Sequence, residues 1–134
     1  MSYPPQDVVV WLGEQCLNLT PGINLFSGEW GENEDSIDEQ VLVLDSPVTA
    51  SELKDQYETV GIQVLVRGAR HKGAATTYSL AKSISDALLA PLSAIEMNCT
   101  CYTDWEEVSN IAGLGKDSND RHVFSMNFSS NRNR

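Results

Sequence analysis

A change of apolar periodicity within residues 59–88 constrains the fold of this chain more than any other feature. Apolar residues first recur with a period of two, which is typical of a half-buried strand, and then with a period of 3.6, which is typical of an amphipathic helix. Because only a short basic turn joins the two patterns, we expect the helix to pack on the sheet that contains the strand. The strand positions are Val60, Ile62, Val64 and Val66, and the helix positions are Leu80, Ala81, Ile84, Ala87 and Leu88.

Length and charge narrow the class of protein. The chain has 134 residues and a formal net charge of −10, from 9 Lys and Arg against 19 Asp and Glu. This length predicts a single domain over residues 1–134, large enough to bury roughly two-thirds of its unfolded surface. Phosphate binding needs clustered Lys and Arg, so the charge argues against general nucleic-acid binding. We expect no membrane span and no signal peptide, and the three cysteines predict reduced thiols in a cytosolic compartment.

The remaining patterns predict one more helix and four more strands. The expected elements are a helix at 5–18, strands at 23–30, 40–45, 94–103 and 121–129, an acidic loop at 28–39, a long loop at 105–120 and a polar C-terminal tail at 129–134. This order predicts the α+β class, with a single mostly antiparallel sheet and two helices packed on one face. The expected core includes Trp11, Val64, Val66, Ile84, Leu88, Phe124 and Phe128.

No group of residues predicts a catalytic, cofactor or metal site. Cys99 and Cys101 alternate on one strand face, and His122 could lie on a neighbouring strand, but zinc spacing of the C-x-x-C type is missing. Two small apolar residues in the core is the simpler interpretation of the cysteines. Neither His71 nor His122 has an obvious Ser or Cys partner, and no nucleophile elbow is present. The sequence therefore predicts a protein that is not an enzyme.

Two segments of opposite charge are candidates for contacts between molecules. Residues 28–39 hold six acids, which predicts a solvated loop, and Trp30 within it is a candidate interface anchor. Arg67, Arg70 and Lys72 gather three of the nine basic residues in one turn. This turn is either simply solvated or a docking patch for an acidic surface, possibly the 28–39 loop of another copy.

Two short runs of the sequence carry a resemblance to a known family. The first run covers residues 64–68 and continues in the helix at 81–88. The second covers residues 115–121, a G-x-D-x-x-x-R turn, followed by residues 123–128, which end in N-F. The first run resembles the tail terminator proteins of long-tailed bacteriophages, a family that includes proteins named only as minor capsid proteins, and the second is similar to the closing hairpin of that family. The family often has glycine before that arginine, where this chain has Asp120.

The resemblance covers about residues 23–129 and implies a ring, usually a hexamer, that caps the growing tail tube and then docks to the head connector. The implied partners are further copies of the chain, the tail tube protein and a connector or stopper protein. The implied place is the tail–neck junction of the virion, after assembly in the host cytoplasm. Six copies carry six times the net charge of −10, so DNA would pass through the lumen without specific binding. The candidates for subunit or tube contacts are Trp30, Glu34, Asp35, Arg67, Arg70, Lys72, Arg132 and Arg134.

Three other classes of function compete with this one. Another neck protein, such as a head-completion or stopper subunit, is the nearest alternative. A non-viral α+β binding module also fits the composition. A small enzyme would need a concave pocket that holds a residue with a perturbed pKa, and the sequence offers no such residue.

Overall fold

Six strands form one sheet and two helices accompany it in the computed structural model of the chain, which describes residues 3–31, 38–46, 57–91 and 94–133. Across the sheet the strand order is β1-β2-β3-β6-β5-β4. In chain order the elements are α1 (Pro4–Glu14), β1 (Leu25–Ser27), β2 (Gln40–Asp45), β3 (Tyr57–Arg67), α2 (Ala74–Leu89), β4 (Ile95–Met97), β5 (Thr100–Lys116) and β6 (His122–Asn133).

The sheet is mixed. Strand β1 pairs in parallel with β2, whereas the other four neighbouring pairs are antiparallel. The α+β class is therefore confirmed, and the expectation of a mostly antiparallel sheet is corrected. A parallel neighbour needs a crossover connection rather than a tight turn, and the acidic stretch 28–39 supplies it between β1 and β2.

One apolar cluster forms the core. Alternate residues of β3, such as Val64 and Val66, are fully buried, as are Ile84 and Leu88 of α2. All but one of the expected core residues are buried. The exception is Phe124, which is half-buried and packs against the cluster. Both helices contribute to this cluster, and their placement on one face of the sheet stays a prediction.

The expected strand at 94–103 is two strands joined by a tight turn. Asn98 and Cys99 have positive φ angles of 51° and 66°, which is the geometry of a two-residue hairpin loop. Cys99 is consequently exposed in the turn, and Cys101 is only half-buried. The expectation that both cysteines lie in the core is therefore wrong. The signal for this turn was Asn98, because asparagine tolerates the left-handed region better than most residues.

Two segments expected to lack regular structure belong to the longest antiparallel hairpin. The expected loop at 105–120 is largely strand β5, and the expected tail at 129–134 continues β6 as far as Asn133. Glycines and polar residues lower the local tendency to form strands. Pairing of β6 with β3 along its length overrides that tendency, from Arg67 opposite Val123 to Tyr57 opposite Asn133.

Replacing Leu88 by alanine should lower the free energy of unfolding by about 2–5 kcal/mol, because this side chain is fully buried and its loss leaves a cavity. The measurement is the midpoint of urea denaturation. Ser83→Ala, at an exposed position of the same helix, is the matched control and should stay within about 0.5 kcal/mol. An unchanged midpoint in Leu88→Ala would contradict the assignment.

Candidate assembly surfaces

The structure places Arg67 inside the chain rather than on open surface. This last residue of β3 is only 2% exposed. Its Nε donates a hydrogen bond to the carbonyl oxygen of Asp38 at 2.9 Å, and its guanidinium lies 4.7 Å from the centre of the Trp30 ring. Trp30 and Asp38 lie near the two ends of the acidic stretch 28–39. Arg67 therefore holds both ends of that stretch against the sheet through a cation–π contact and a charge-assisted hydrogen bond.

The turn after Arg67 does present positive charge to solvent. Arg70 keeps 53% of its side-chain surface exposed while its Nε lies 3.2 Å from Asp38 Oδ1. Lys72 is exposed and makes no ion pair with any acid in the described part of the chain. His71 has a φ of 60°, and its Nδ1 lies 2.8 Å from Asp120 Oδ2. The acid that contacts Arg70 is thus Asp38 of its own chain.

The turn between β5 and β6 explains the closing motif that the sequence showed. Asp117 accepts hydrogen bonds from the backbone N–H groups of Asn119 and Arg121 and from Nε of Arg121 at 2.8 Å. Burial raises the pKa of Asp117, but these hydrogen bonds lower it by more, so the pKa lies below its usual value. Asp120 has a φ of 60°, in the region where glycine is favoured. Glycine suits this position because it has no Cβ atom to clash at a positive φ. Aspartate is among the few other residues that adopt a positive φ.

These two turns meet and form one cluster of charged side chains, which we name the basic corner; Arg67 and Arg121 are buried within it. It gathers five of the nine Lys and Arg residues with three acids between them. Side-chain hydrogen bonds from Lys116 and His71 lower the pKa of Asp120, and Arg121 lies 3.4 Å from Asp38 as well as bonding to Asp117. Sequence reasoning included the turn after β3 but missed the contribution of the β5–β6 turn. The members are Arg67, Arg70, Lys72, Lys116 and Arg121, with Asp38, Asp117 and Asp120.

Arg132, another candidate from the sequence, belongs to a buried polar network. It is 5% exposed, and its Nε donates to Glu58 Oε2 at 2.9 Å. Tyr102 donates its hydroxyl to Asp7 Oδ2 at 2.6 Å, and Asn98 donates to Asp7 Oδ1 at 3.0 Å. Burial and the bond to Asp7 raise the pKa of Tyr102 far above its usual value. The network joins α1 to the sheet, so Arg132 acts in packing rather than on open surface.

The outer edge of β5 carries exposed apolar and acidic side chains. Val108 and Leu114 are each 60% exposed, and Glu106 and Glu107 near the start of the strand are exposed. Sequence reasoning missed this edge because four irregularities in the pairing with β6 break the alternation of the strand. Trp105 packs against the core and lies 5.8 Å from the Tyr102 ring. Its indole Nε1 is buried without a hydrogen-bond partner.

The described part of the chain shows no group of three His, Cys, Asp or Glu side chains placed to hold a metal ion. Within it, no helix is long and apolar enough to cross a bilayer.

Glu34, Asp35 and Arg134, which the sequence offered as contact candidates, lie outside the described residues. Among the clefts of the described part of the chain, two open ones have linings without a histidine, cysteine or lysine. One is lined by Phe26, Ser27, Glu29, Trp30 and Gly31, and the other by Leu89, Pro91, Ala94, Thr103, Asp104, Trp105 and Glu106.

Comparison with known proteins identifies the family. Solved structures share the fold, and one of them belongs to a protein whose name states no function. It is 11% identical, with a TM-score of 0.54, and the alignment covers 96% of this chain and 89% of that one. At that identity the likeness concerns the fold alone. No curated protein matches the chain. The family model described as bacteriophage tail terminator protein matches residues 13–134, nearly the whole sequence. The chain belongs to the bacteriophage tail terminator protein family.

Proposed function

We propose that the chain assembles into a ring, a hexamer, that ends the tail tube of a long-tailed bacteriophage and joins it to the head connector. Family membership supports the tail as its place of action. The observation that supports a ring is the separation of positive and negative charge along β5 and β6. The basic corner lies at one end of this hairpin, and Asp104, Glu106 and Glu107 lie near the other end of β5. Unlike patches at different places on one molecule favour head-to-tail contacts, and such contacts form a ring when the rotation between neighbouring copies closes.

The ring has three kinds of partner in this proposal: further copies of the chain, the tail tube protein on one side and a connector or stopper protein on the other. Its place is the tail–neck junction of the virion, after assembly in the host cytoplasm. The net charge of −10 per chain supports a lumen through which DNA passes without specific binding, because DNA is itself densely negative.

The role is structural rather than enzymatic in this proposal, and the character of the family supports that role. We also expect both helices to cover the same face of the sheet. Residues of α1, α2 and alternate positions of β3, such as Ile62 and Val64, join one apolar cluster, which supports this placement. The sheet edges and the turns would then remain available for contacts between molecules.

The test is to mix the purified chain with polymerising tail tube protein and to image both by negative-stain electron microscopy. We expect rings of the chain alone and tubes that stop growing with a ring at one end. Continued tube growth, together with a chain that stays a monomer, would contradict the proposal. A chain that binds isolated connectors but leaves tube growth unchanged would favour a head-completion or stopper protein.

The ring should also weaken as salt is added, because its proposed contacts include pairs of opposite charges. The Debye length falls from about 10 Å at 0.1 M salt to about 3 Å at 1 M. Native mass measurement over this range follows the loss of the ring. A ring whose population is the same at both salt concentrations would instead rest on apolar contacts.

A further inference from the structure

The outer edge of β5 is open over most of the strand. Strand β4 pairs only with Thr100, Cys101 and Tyr102. From Thr103 to Lys116 the strand pairs with β6 on its inner side, and no described strand pairs with its outer side. An open edge presents unpaired backbone N–H and C=O groups, and it is a ready template for pairing with another chain.

Half of this open edge lacks the side chains that usually protect such edges. Natural sheets place charges or proline on exposed edge strands to prevent pairing. Residues 108–115 contain no charged residue and no proline, and they expose Val108 and Leu114 by 60% each. Leaving two large apolar side chains in water is unfavourable, so a partner that covers them would stabilise the complex.

The acids beside this uncharged stretch form no close ion pair with a described basic side chain. Glu106 and Glu107 are exposed. Asp86, and to a smaller degree Glu107, raise the pKa of Lys82, so the nearest described cation to Glu107 is already paired with Asp86.

Lys72 and the half-exposed Arg70 lie in the basic corner, toward the far end of the hairpin. Glu106 and Lys116 lie opposite Ser129 and His122 of β6, seven residues apart, which corresponds to about 23 Å along the sheet. The two patches are therefore too far apart to pair within one molecule, and both stay available to a neighbour.

We propose that the outer edge of β5 is the surface that receives the next copy of this chain in the ring. Residues 108–115 are covered by that copy, while Glu106 and Glu107 face its Arg70 and Lys72. This inference rests on the proposed ring and adds the surface on which it closes. Because the two patches differ, the contact is heterologous, which permits ring closure, whereas pairing of β5 with β5 would end at a dimer.

Charge reversal on each patch, followed by mixing, tests the contact. The acidic-patch variant is Glu106→Lys with Glu107→Lys, and the basic-patch variant is Arg70→Glu with Lys72→Glu. Each alone opposes like charges at every contact, so we expect each to lose the ring and remain a monomer by native mass measurement. A mixture of the two in equal amounts restores opposite charges at every contact of an alternating hexamer. We therefore expect rings to return only in the mixture.

The controls separate this surface from general effects of charge and folding. Glu14→Lys with Glu29→Lys changes the net charge as the acidic-patch variant does, at exposed positions that belong to neither patch, and should keep the ring. Hydrogen exchange of the unmodified chain is a second measurement that needs no variant. The backbone amides of residues 104–115 should exchange more slowly above the concentration of ring assembly than below it.

Each outcome decides the proposal. Rings in the unmodified chain that persist in both variants, or variants whose mixture restores nothing, would overturn this surface and leave the ring itself standing. Unchanged exchange of residues 104–115 on assembly would do the same. An unmodified chain that forms no ring at any concentration would overturn both the surface and the proposed function.

Discussion

Replacing Asp7 by alanine should lower the free energy of unfolding by about 3–5 kcal/mol, a large effect for one side chain. The carboxylate is fully buried and accepts hydrogen bonds from the Tyr102 hydroxyl and the Asn98 amide. Arg132 Nη1 lies 4.0 Å away. Alanine would leave the buried Tyr102 hydroxyl without this acceptor, and an unsatisfied buried group bears its full desolvation cost. Thermal and urea denaturation measure the loss.

Two further variants test the cause of this effect. Asp86→Ala removes an acid that is exposed and paired with Lys82 on α2, and it should change the stability by no more than about 1 kcal/mol. Replacing Tyr102 by phenylalanine together with Asp7→Ala should cost less than the sum of the two single changes, because both act on one hydrogen bond. Strictly additive costs would show that Asp7 stabilises the fold by some other contact.

Replacing Gly68 by alanine is the second change with a large expected effect, about 1–3 kcal/mol of destabilisation. A Cβ atom at this position would overlap the Thr77 side chain, which is buried in the first turns of α2. The backbone N–H of Gly68 also donates to the carbonyl of His122 at 2.8 Å, so the strand has little freedom to move away. We expect α2 to be displaced from the sheet, and near-ultraviolet circular dichroism together with urea denaturation would detect it.

Gly73 provides the matched control for this change. It lies in the same connection between β3 and α2, but an added Cβ would meet no atom within 4 Å, and its φ of −70° suits any residue. Gly73→Ala should therefore leave stability nearly unchanged. Thr77→Ala should recover part of the loss in Gly68→Ala, because it removes the hydroxyl that the new methyl group would overlap. No recovery in the double variant would contradict the steric explanation.

The candidate contact residues show that a charged residue type does not by itself predict an exposed position. An arginine in a polar segment is ordinarily assigned to the surface, and Arg67, Arg70 and Arg132 looked alike in this respect. Only Arg70 is exposed. Arg67 is buried by Trp30 and Asp38. Arg132 is buried by partners that include Glu58, which lies 74 positions away in the sequence. A local sequence pattern cannot predict a pairing between residues so far apart.

The sequence by itself determined the unit formed by β3 and α2. Its change of period from two to 3.6 identified both elements and named their buried faces, from Val64 to Leu88, because side-chain periodicity is a local property of the backbone. Only the tertiary structure decided the extent of β5 and β6 and the parallel place of β1. Residues 105–116 and 130–133 are poor in local strand signals, and they become strands because neighbouring strands satisfy their backbone hydrogen bonds. The open edge at residues 103–116 is a product of that pairing, so it becomes visible only when the sheet is assembled.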